Sequence, residues 1–325
     1  MTDLPFRREL GTSNIMVSPV ALGCWPIAGM TSLDVNDTDS LNTLQAAFDA
    51  GVNFLDTAFC YGRNGESEKL IGQAFAHRRD EVVIATKCGI HWNDDGGREI
   101  DGRSQTLVAQ CEESLRRLQT DHVDLLYLHA PDPRIPIAES ATALQSLLHS
   151  GKTRTVGVSN FSVSQMTEFH SICPITACQP AYNMLQRQIE HDIVPWCLAH
   201  QASIVPYWPL LKGLLAGKLP RDYQFQPGDG RPKYPMFQGE EWERNQDFLD
   251  ELRKIAQRCN KAVAELAVNW LIQQPAIASA LCGAKRPYQI EENAAAMTWE
   301  MDSEIAEQIA AALARRGTPI VRTAV

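Results

Sequence analysis

No uninterrupted apolar run in the 325 residues is long enough to cross a bilayer, and the opening MTDLPFRRELGTSN lacks the apolar core of a secretory leader. A cytoplasmic protein is expected. Lys and Arg number 30 against 39 Asp and Glu, a net charge of -9, so no global attraction draws the chain to nucleic acid or to an anionic membrane. The 9 cysteines are an odd number with no CxxC pair and no zinc-like spacing to histidine, which argues against a disulfide framework and leaves no metal site to expect. They read as reduced, buried small residues. Cys60 and Cys88 lie close to residues discussed below, and a redox role is the alternative for them.

Several catalytic signatures are also missing. No GxGxxG follows an apolar strand, so the usual dinucleotide fingerprint is absent. The pairs Gly151-Lys152 and Gly217-Lys218 lack the upstream glycine of a P-loop. There is no HExxH, and GVSNF is not the GxSxG of a nucleophile elbow. Metalloprotease and serine hydrolase chemistry lose their support.

What is present is an alternation of helix, short turn and apolar strand. Leu41, Leu44 and Phe48 have helical spacing and are followed by Gly51 and then the strand-like VNFLDTA. The same order recurs with EVVIATK, HVDLLYLHA, KTRTVGVSN and ASIVPYWP, while VALGC, ITACQ and AIASALCG complete about eight short, β-branched strands. This predicts a (β/α)8 barrel over residues 1–325 as one domain, with a doubly wound two-domain sheet as the alternative. A short hairpin is expected before the first strand, turning at Gly11 to Asn14. Two long loops, after the third and seventh strands, are candidate lids.

On a barrel, the residues that end strands converge on one face. Asp56 ends NFLD, Lys87 ends VVIATK, His129 ends VDLLYLH, and Tyr61 follows Asp56 by five positions. A tyrosine of pKa about 10 is a poor proton donor at neutral pH, and an adjacent ammonium such as Lys87 is expected to lower it. Asp56 can hold that lysine by a charge-assisted hydrogen bond, and His129 can orient a carbonyl. Together they suit delivery of a proton to a developing alkoxide. The plainer alternatives are a structural ion pair for Asp56 and Lys87 and a core histidine for His129.

An alkoxide requires something that creates it, and a hydride fits. The successive motifs LDTAFCYG, IATKCG, LLYLHAPD, GVSNFS, CQPAYN and GAKRPYQIEEN resemble those of the aldo-keto reductase superfamily, in order and over nearly the whole chain. The resemblance implies a barrel that binds NADPH, less often NADH, without a separate dinucleotide domain. It implies Tyr61 as general acid/base, Lys87 and Asp56 as its tuners, and His129 as the residue that positions the carbonyl.

Further assignments come from the same resemblance. Ser159, Asn160 and Gln179 match contacts to the nicotinamide carboxamide, and Tyr207 matches the aromatic that stacks on the ring. Strand-end caps and a core aromatic are the alternatives. Leu210, Lys212 and Gly213 fall where the diphosphate is held, but Trp208 replaces a serine common in relatives, which puts a hydroxyl contact there in doubt. Gly283, Lys285 and Arg286 lie where a ribose 2′-phosphate is held at a helix start, favouring NADP(H), with NAD(H) left open because Gln289 stands where strict NADP enzymes often carry arginine. Glu292 and Asn293 match adenine contacts.

Trp25, His91 and Trp92 are the expected pocket walls, with Met236 and Phe237 as weaker candidates. The expected partner is a small carbonyl compound, whether aldehyde, ketone or sugar, and the oligomeric state is not legible. The competing reading is an NADPH-binding redox-sensing accessory protein, resembling potassium-channel β-subunits.

Overall fold

A computed structural model describes residues 7–30 and 33–320. The expected absence of a leader rests partly on residues 1–6, which lie outside the described residues. No helix among those described is long and apolar enough to cross a membrane.

Strands β1 (Arg8–Glu9) and β2 (Met16–Val17) pair antiparallel around the turn expected at Gly11 to Asn14. Then β3 (Val20–Gly23), α1 (Asp37–Asp49), β4 (Phe54–Asp56), α2 (Glu66–Phe75) and β5 (Val83–Cys88) begin the repeat. A second hairpin, β6 (Ile90–Trp92) with β7 (Arg98–Ile100), precedes α3 (Ser104–Leu118). The alternation continues through β8 (Val123–Leu128), α4 (Ile137–His149), β9 (Thr153–Ser159), α5 (Val163–His170), β10 (Ala177–Gln179), α6 (Ile193–Ala199) and β11 (Ser203–Ile204). Helices α7 (Gly239–Arg258) and α8 (Val263–Ile272) come before β12 (Ala280–Gly283), and α9 (Pro287–Ala295) and α10 (Ser303–Arg316) after it.

Eight strands form one parallel sheet in the order β11-β10-β9-β8-β5-β4-β3-β12. Its two ends meet through a parallel bridge between Ile204 and Ile277, with the Leu281 N–H donating to the Pro206 carbonyl at 3.0 Å. The barrel is therefore closed. Helix starts follow local rules: Asn36 accepts from the Asp39 N–H at 2.9 Å, and Ser162 with Gln165 forms a reciprocal capping box on α5.

Strand alternation sorts the side chains into two shells. Leu22, Leu55, Ile84, Leu126 and Val156 point outward to the helices, where Leu44, Ile71, Leu115 and Leu144 cover them. Ala21, Phe54, Ala85, Leu125, Tyr127, Ala177 and Val205 point inward. The hairpin residues Leu10, Ile15 and Val17 join that inner cluster, so the hairpin plugs the end of the barrel from which the strands start. Tyr127 is accommodated by Gly157 opposite it, where a Cβ would lie 2.5 Å from the Tyr127 ring.

The two long loops are more ordered than the sequence led us to expect. The first folds into β6–β7 because the Asn93 N–H donates to the Gly97 carbonyl and its side chain accepts from the Gly97 N–H at 2.7 Å. In the second, Phe237 packs with Phe225 and Trp242, and both Met236 and Phe237 are buried in the core. These two are packing residues: Phe237 sits between the Phe225 and Trp242 rings, and Met236 is buried with its carbonyl accepting from the Asn245 amide at 3.0 Å.

Candidate active site

The inward parity that runs Phe54, Ala85, Tyr127, Gly157, Ala177 and Val205 continues, one pleat toward the strand ends, to Asp56, Lys87, His129, Ser159, Gln179 and Tyr207. The same alternation that fills the barrel thus delivers a polar ring at its open end. Tyr61 arrives differently, on the turn after β4, where its N–H donates to the Ala58 carbonyl at 3.0 Å.

Lys87 is wholly enclosed, and its ammonium donates to the Asp56 carboxylate, to the Thr57 carbonyl at 2.7 Å and to the Tyr61 hydroxyl oxygen at 3.3 Å. An ammonium has three N–H donors, so all are used. Asp56 also accepts from the Gln179 amide at 2.8 Å. Burial pushes the Asp56 carboxyl up, opposed by the Lys87 cation and by its hydrogen bonds from Lys87 and Gln179.

Burial also holds the Tyr61 phenol well above its ordinary value, with the Asp56 charge acting in the same direction. This corrects the expectation that Lys87 lowers it. Desolvation of a phenolate outweighs one cation whose charge Asp56 already balances. The hydroxyl stays protonated, and because its oxygen accepts from Lys87, its own proton is directed away from that cation.

His129 is buried 6.0 Å, centre to centre, from the Tyr61 ring. Burial first, then the Lys87 and Arg98 charges, depress it well below the ordinary histidine range, so the ring is neutral. The Cys60 sulfur lies 3.7 Å from its Nδ1. Burial raises the Cys60 thiol to about 11, so it keeps its hydrogen and can donate it to Nδ1, an arrangement that puts the ring hydrogen on Nε2. Cys88 is likewise held protonated by burial. Neither thiol has the low-pKa environment of a reactive cysteine. The sequence had offered Cys60 only as packing or redox, and the Thr57 carbonyl had no signal at all.

Beside this centre the Asn160 amide donates to the His129 carbonyl at 2.9 Å, and the Tyr207 hydroxyl donates to Asn160 Oδ1 at 2.9 Å. The Ser159 hydroxyl donates to the Gln179 carbonyl at 2.8 Å. Amide, hydroxyl and aromatic groups are therefore gathered in one hydrogen-bonded network against the Asp56 corner. After β11, Trp208, Leu211, Lys212 and Gly213 all have positive φ, and the Lys212 ammonium lies 4.2 and 4.4 Å from the centres of the Trp208 and Tyr234 rings. A backbone so contorted over consecutive non-glycine residues is a feature of binding loops. Leu210 closes this turn, its carbonyl accepting from Gly213 and Leu215 N–H groups.

At the start of α9, Gln289 Oε1 accepts from the Lys285 and Arg286 N–H groups at 2.9 and 3.1 Å. The Lys285 ammonium donates to the Leu33 carbonyl at 2.7 Å, and Arg286 donates to the Asp34 carbonyl while pairing with Asp39. Glu292 is paired with Lys218 across to the loop after β11, Asn293 is buried, and Gly283 ends β12 in an exposed position.

Of the expected walls, Trp25 meets Tyr61 edge-on at 5.0 Å, and Trp92 Nε1 donates to the Cys60 carbonyl at 3.0 Å. His91 is on the other face of the β6–β7 ladder, opposite Glu99, so strand alternation turns it away from Trp92.

A family model, the aldo/keto reductase family, matches residues 19–314. An aldo-keto reductase of Bacillus subtilis (strain 168) is 36% identical over 299 residues, covering 91% of this chain and 90% of the relative. An NADH-specific methylglyoxal reductase of Escherichia coli (strain K12) is 32% identical, covering 94% of this chain and 98% of the relative. The solved glycerol dehydrogenase of Gluconobacter oxydans superposes with a TM-score of 0.90 at 36% identity, covering 98% of each chain.

Proposed function

The chain belongs to the aldo/keto reductase family, and from that membership we propose that it is an NADP(H)-dependent oxidoreductase acting between a carbonyl compound and its alcohol, with Tyr61 as general acid and base. The observation that carries this reading is the Lys87 ammonium, which binds Asp56 and Tyr61 at once. When bound, the nicotinamide cofactor supplies or accepts the hydride.

The chain's own residues account for the proton. Tyr61 holds it on a hydroxyl whose oxygen is anchored by Lys87, aimed at the space beside His129. A carbonyl oxygen receiving Nε2–H of neutral His129 is fixed in direction and polarised. As negative charge builds on that oxygen it becomes a far stronger base than a phenolate, so even a phenol raised by burial gives up its proton. Lys87 then stabilises the phenolate left behind, and the sequence reverses for alcohol oxidation. Trp25 and Trp92 exclude water from one side.

Ser159, Asn160, Gln179 and Tyr207 would hold the nicotinamide end. Leu210, Lys212 and Gly213 would hold the diphosphate, and Gly283, Lys285, Arg286, Gln289, Glu292 and Asn293 the adenosine end. The basic pair Lys285 and Arg286 supports NADP(H) over NAD(H).

The test is turnover of NADPH with a panel of aldehydes and ketones, followed by absorbance, for the native chain and Tyr61→Phe. Multiple turnovers that the substitution lowers by about 100-fold or more are expected. NADPH binding with at most one slow turnover across the panel would favour the redox-sensing alternative, and failure to bind either nicotinamide would remove both.

A further inference from the structure

The β6–β7 hairpin divides its side chains between two faces. His91 stands opposite Glu99 on one, and Trp92 opposite Arg98 on the other. Glu99 is engaged with Arg134 at 3.2 Å. Trp92 packs beside Cys60, Ala130 and Tyr61, so its face of the hairpin is the one toward the catalytic centre. Arg98 shares that face. Its guanidinium carbon lies 5.3 Å from the centre of the Trp25 ring, and Trp25 is itself edge-on to Tyr61. A second guanidinium, Arg63, lies 5.5 Å from the centre of the Trp92 ring.

Two exposed arginines therefore frame the two indoles that flank the reactive phenol. Neither has a carboxylate within ion-pair distance among the described residues. Other arginines in this part of the molecule do: Arg103 pairs with Asp101, Arg134 with Glu99 and Asp132, and Arg117 with Glu68 and Glu113. The acids of the hairpin turn, Asp94 and Asp95, make no ion pair with either arginine. In a chain of net charge -9, two uncompensated guanidiniums at one mouth make a local field of the opposite sign. That field reaches the chemistry, because the Arg98 charge opposes the effect of burial at both Tyr61 and Cys60.

We propose that Arg98, assisted by Arg63, makes this site selective for carbonyl compounds that carry a carboxylate or phosphate. The inference rests on the oxidoreductase reading above and adds the substrate class to it. A guanidinium offers a planar fork that matches both anions in bidentate fashion, and stacking over an indole restricts its motion before the ligand arrives. The indole faces between the arginines and Tyr61 suit the apolar chain or ring that would join anion to carbonyl.

The experiment compares matched pairs by kcat/KM on the full chain with nicotinamide cofactor: 4-carboxybenzaldehyde against benzaldehyde, succinate semialdehyde against butanal, and glyceraldehyde 3-phosphate against glyceraldehyde. The anionic member of at least one pair is expected to be preferred about tenfold, the scale of one charge-assisted contact at a partly exposed site. The carboxylate and phosphate pairs report separately which anion is taken. Arg98→Glu should bring the ratio below one, Arg98→Lys should retain part of it, and the preference should fall as ionic strength rises from about 0.01 to about 0.5 M.

The neutral members report the chemistry in each variant, so the ratio isolates the anion. Quenching of indole fluorescence by 4-carboxybenzyl alcohol against benzyl alcohol, with no nicotinamide present, reads binding apart from turnover. Arg98-dependent quenching without turnover of any pair would show anion binding at this mouth while overturning the assignment of these anions as substrates, and the nicotinamide-binding test above decides the oxidoreductase reading separately. Ratios near one for every pair, or ratios and quenching indifferent to Arg98→Glu, would overturn the inference while leaving the reductase intact.

Discussion

The Lys87 ammonium stands 3.3 Å from the Tyr61 hydroxyl while it also binds the Asp56 carboxylate, although the three residues come from two strand ends and the turn that follows one of them. Removing the cation should therefore be felt in stability as well as rate. Lys87→Met leaves the Asp56 carboxyl buried without its partner, an arrangement that costs about 3–5 kcal/mol. Urea unfolding at neutral pH is expected to show that loss. The double variant Asp56→Asn/Lys87→Met should recover a large part of it, and an equal or greater loss in the double variant would mean that the pair is not what the single substitution disrupts.

The neutral state of His129 predicts a pH dependence with a definite sign. Its folded-state value is depressed well below the ordinary one, so on acidification the unfolded chain takes up a proton near pH 6.5 that the folded chain does not. The unfolded state then binds more protons, and stability falls by about 1.4 kcal/mol per pH unit below about 6.5 from this group alone. His129→Gln should flatten the curve between about pH 6.5 and pH 5. Parallel curves for the two proteins would contradict a neutral histidine.

Cys60 is expected to act through hydrogen bonding rather than redox chemistry. Its thiol, raised by burial to about 11, should resist alkylation by iodoacetamide in the folded protein, and mass mapping before and after denaturation reads this directly. Cys60→Ser keeps a donor for His129 Nδ1, whereas Cys60→Ala removes it and frees the other tautomer. The alanine variant should lose kcat several-fold more than the serine variant, with little change in cofactor affinity. Equal losses would reduce Cys60 to packing.

Lys285 tests the adenosine end independently of the chemistry. Its ammonium donates to the Leu33 carbonyl, so it is held at the start of α9. Lys285→Ala should weaken NADPH binding about tenfold or more and leave NADH almost unchanged, as measured by fluorescence titration, because an ammonium–phosphate contact is charge-assisted. Matching losses for the two cofactors would show that the lysine does not meet the 2′-phosphate.

Much of the barrel was legible in the sequence because its cause is local. The period-two apolar runs, the helix stops at Gly51 and Gly151 and the polar residues at strand ends are properties of a few consecutive residues, and they place Asp56, Lys87 and His129 at one level of one face. Helices α7 and α8, inserted before β12, were not read from the sequence. The burial of Phe237 just before α7 depends on contacts with Phe225 and Trp242 that no local pattern encodes.

The sequence by itself determined which chemical groups the site could contain, because strand periodicity dictates that Asp56, Lys87 and His129 point the same way. Only the tertiary structure decided their state. Whether Tyr61 is raised or lowered is a contest between burial and neighbouring charge. Which nitrogen of His129 carries the hydrogen turns on a sulfur 69 residues away, at 3.7 Å. The facing of Trp92 and Arg98 toward the site, with His91 away from it, is set by the register of one hairpin. Such quantities depend on distances across the fold, and spacing along a chain does not contain them.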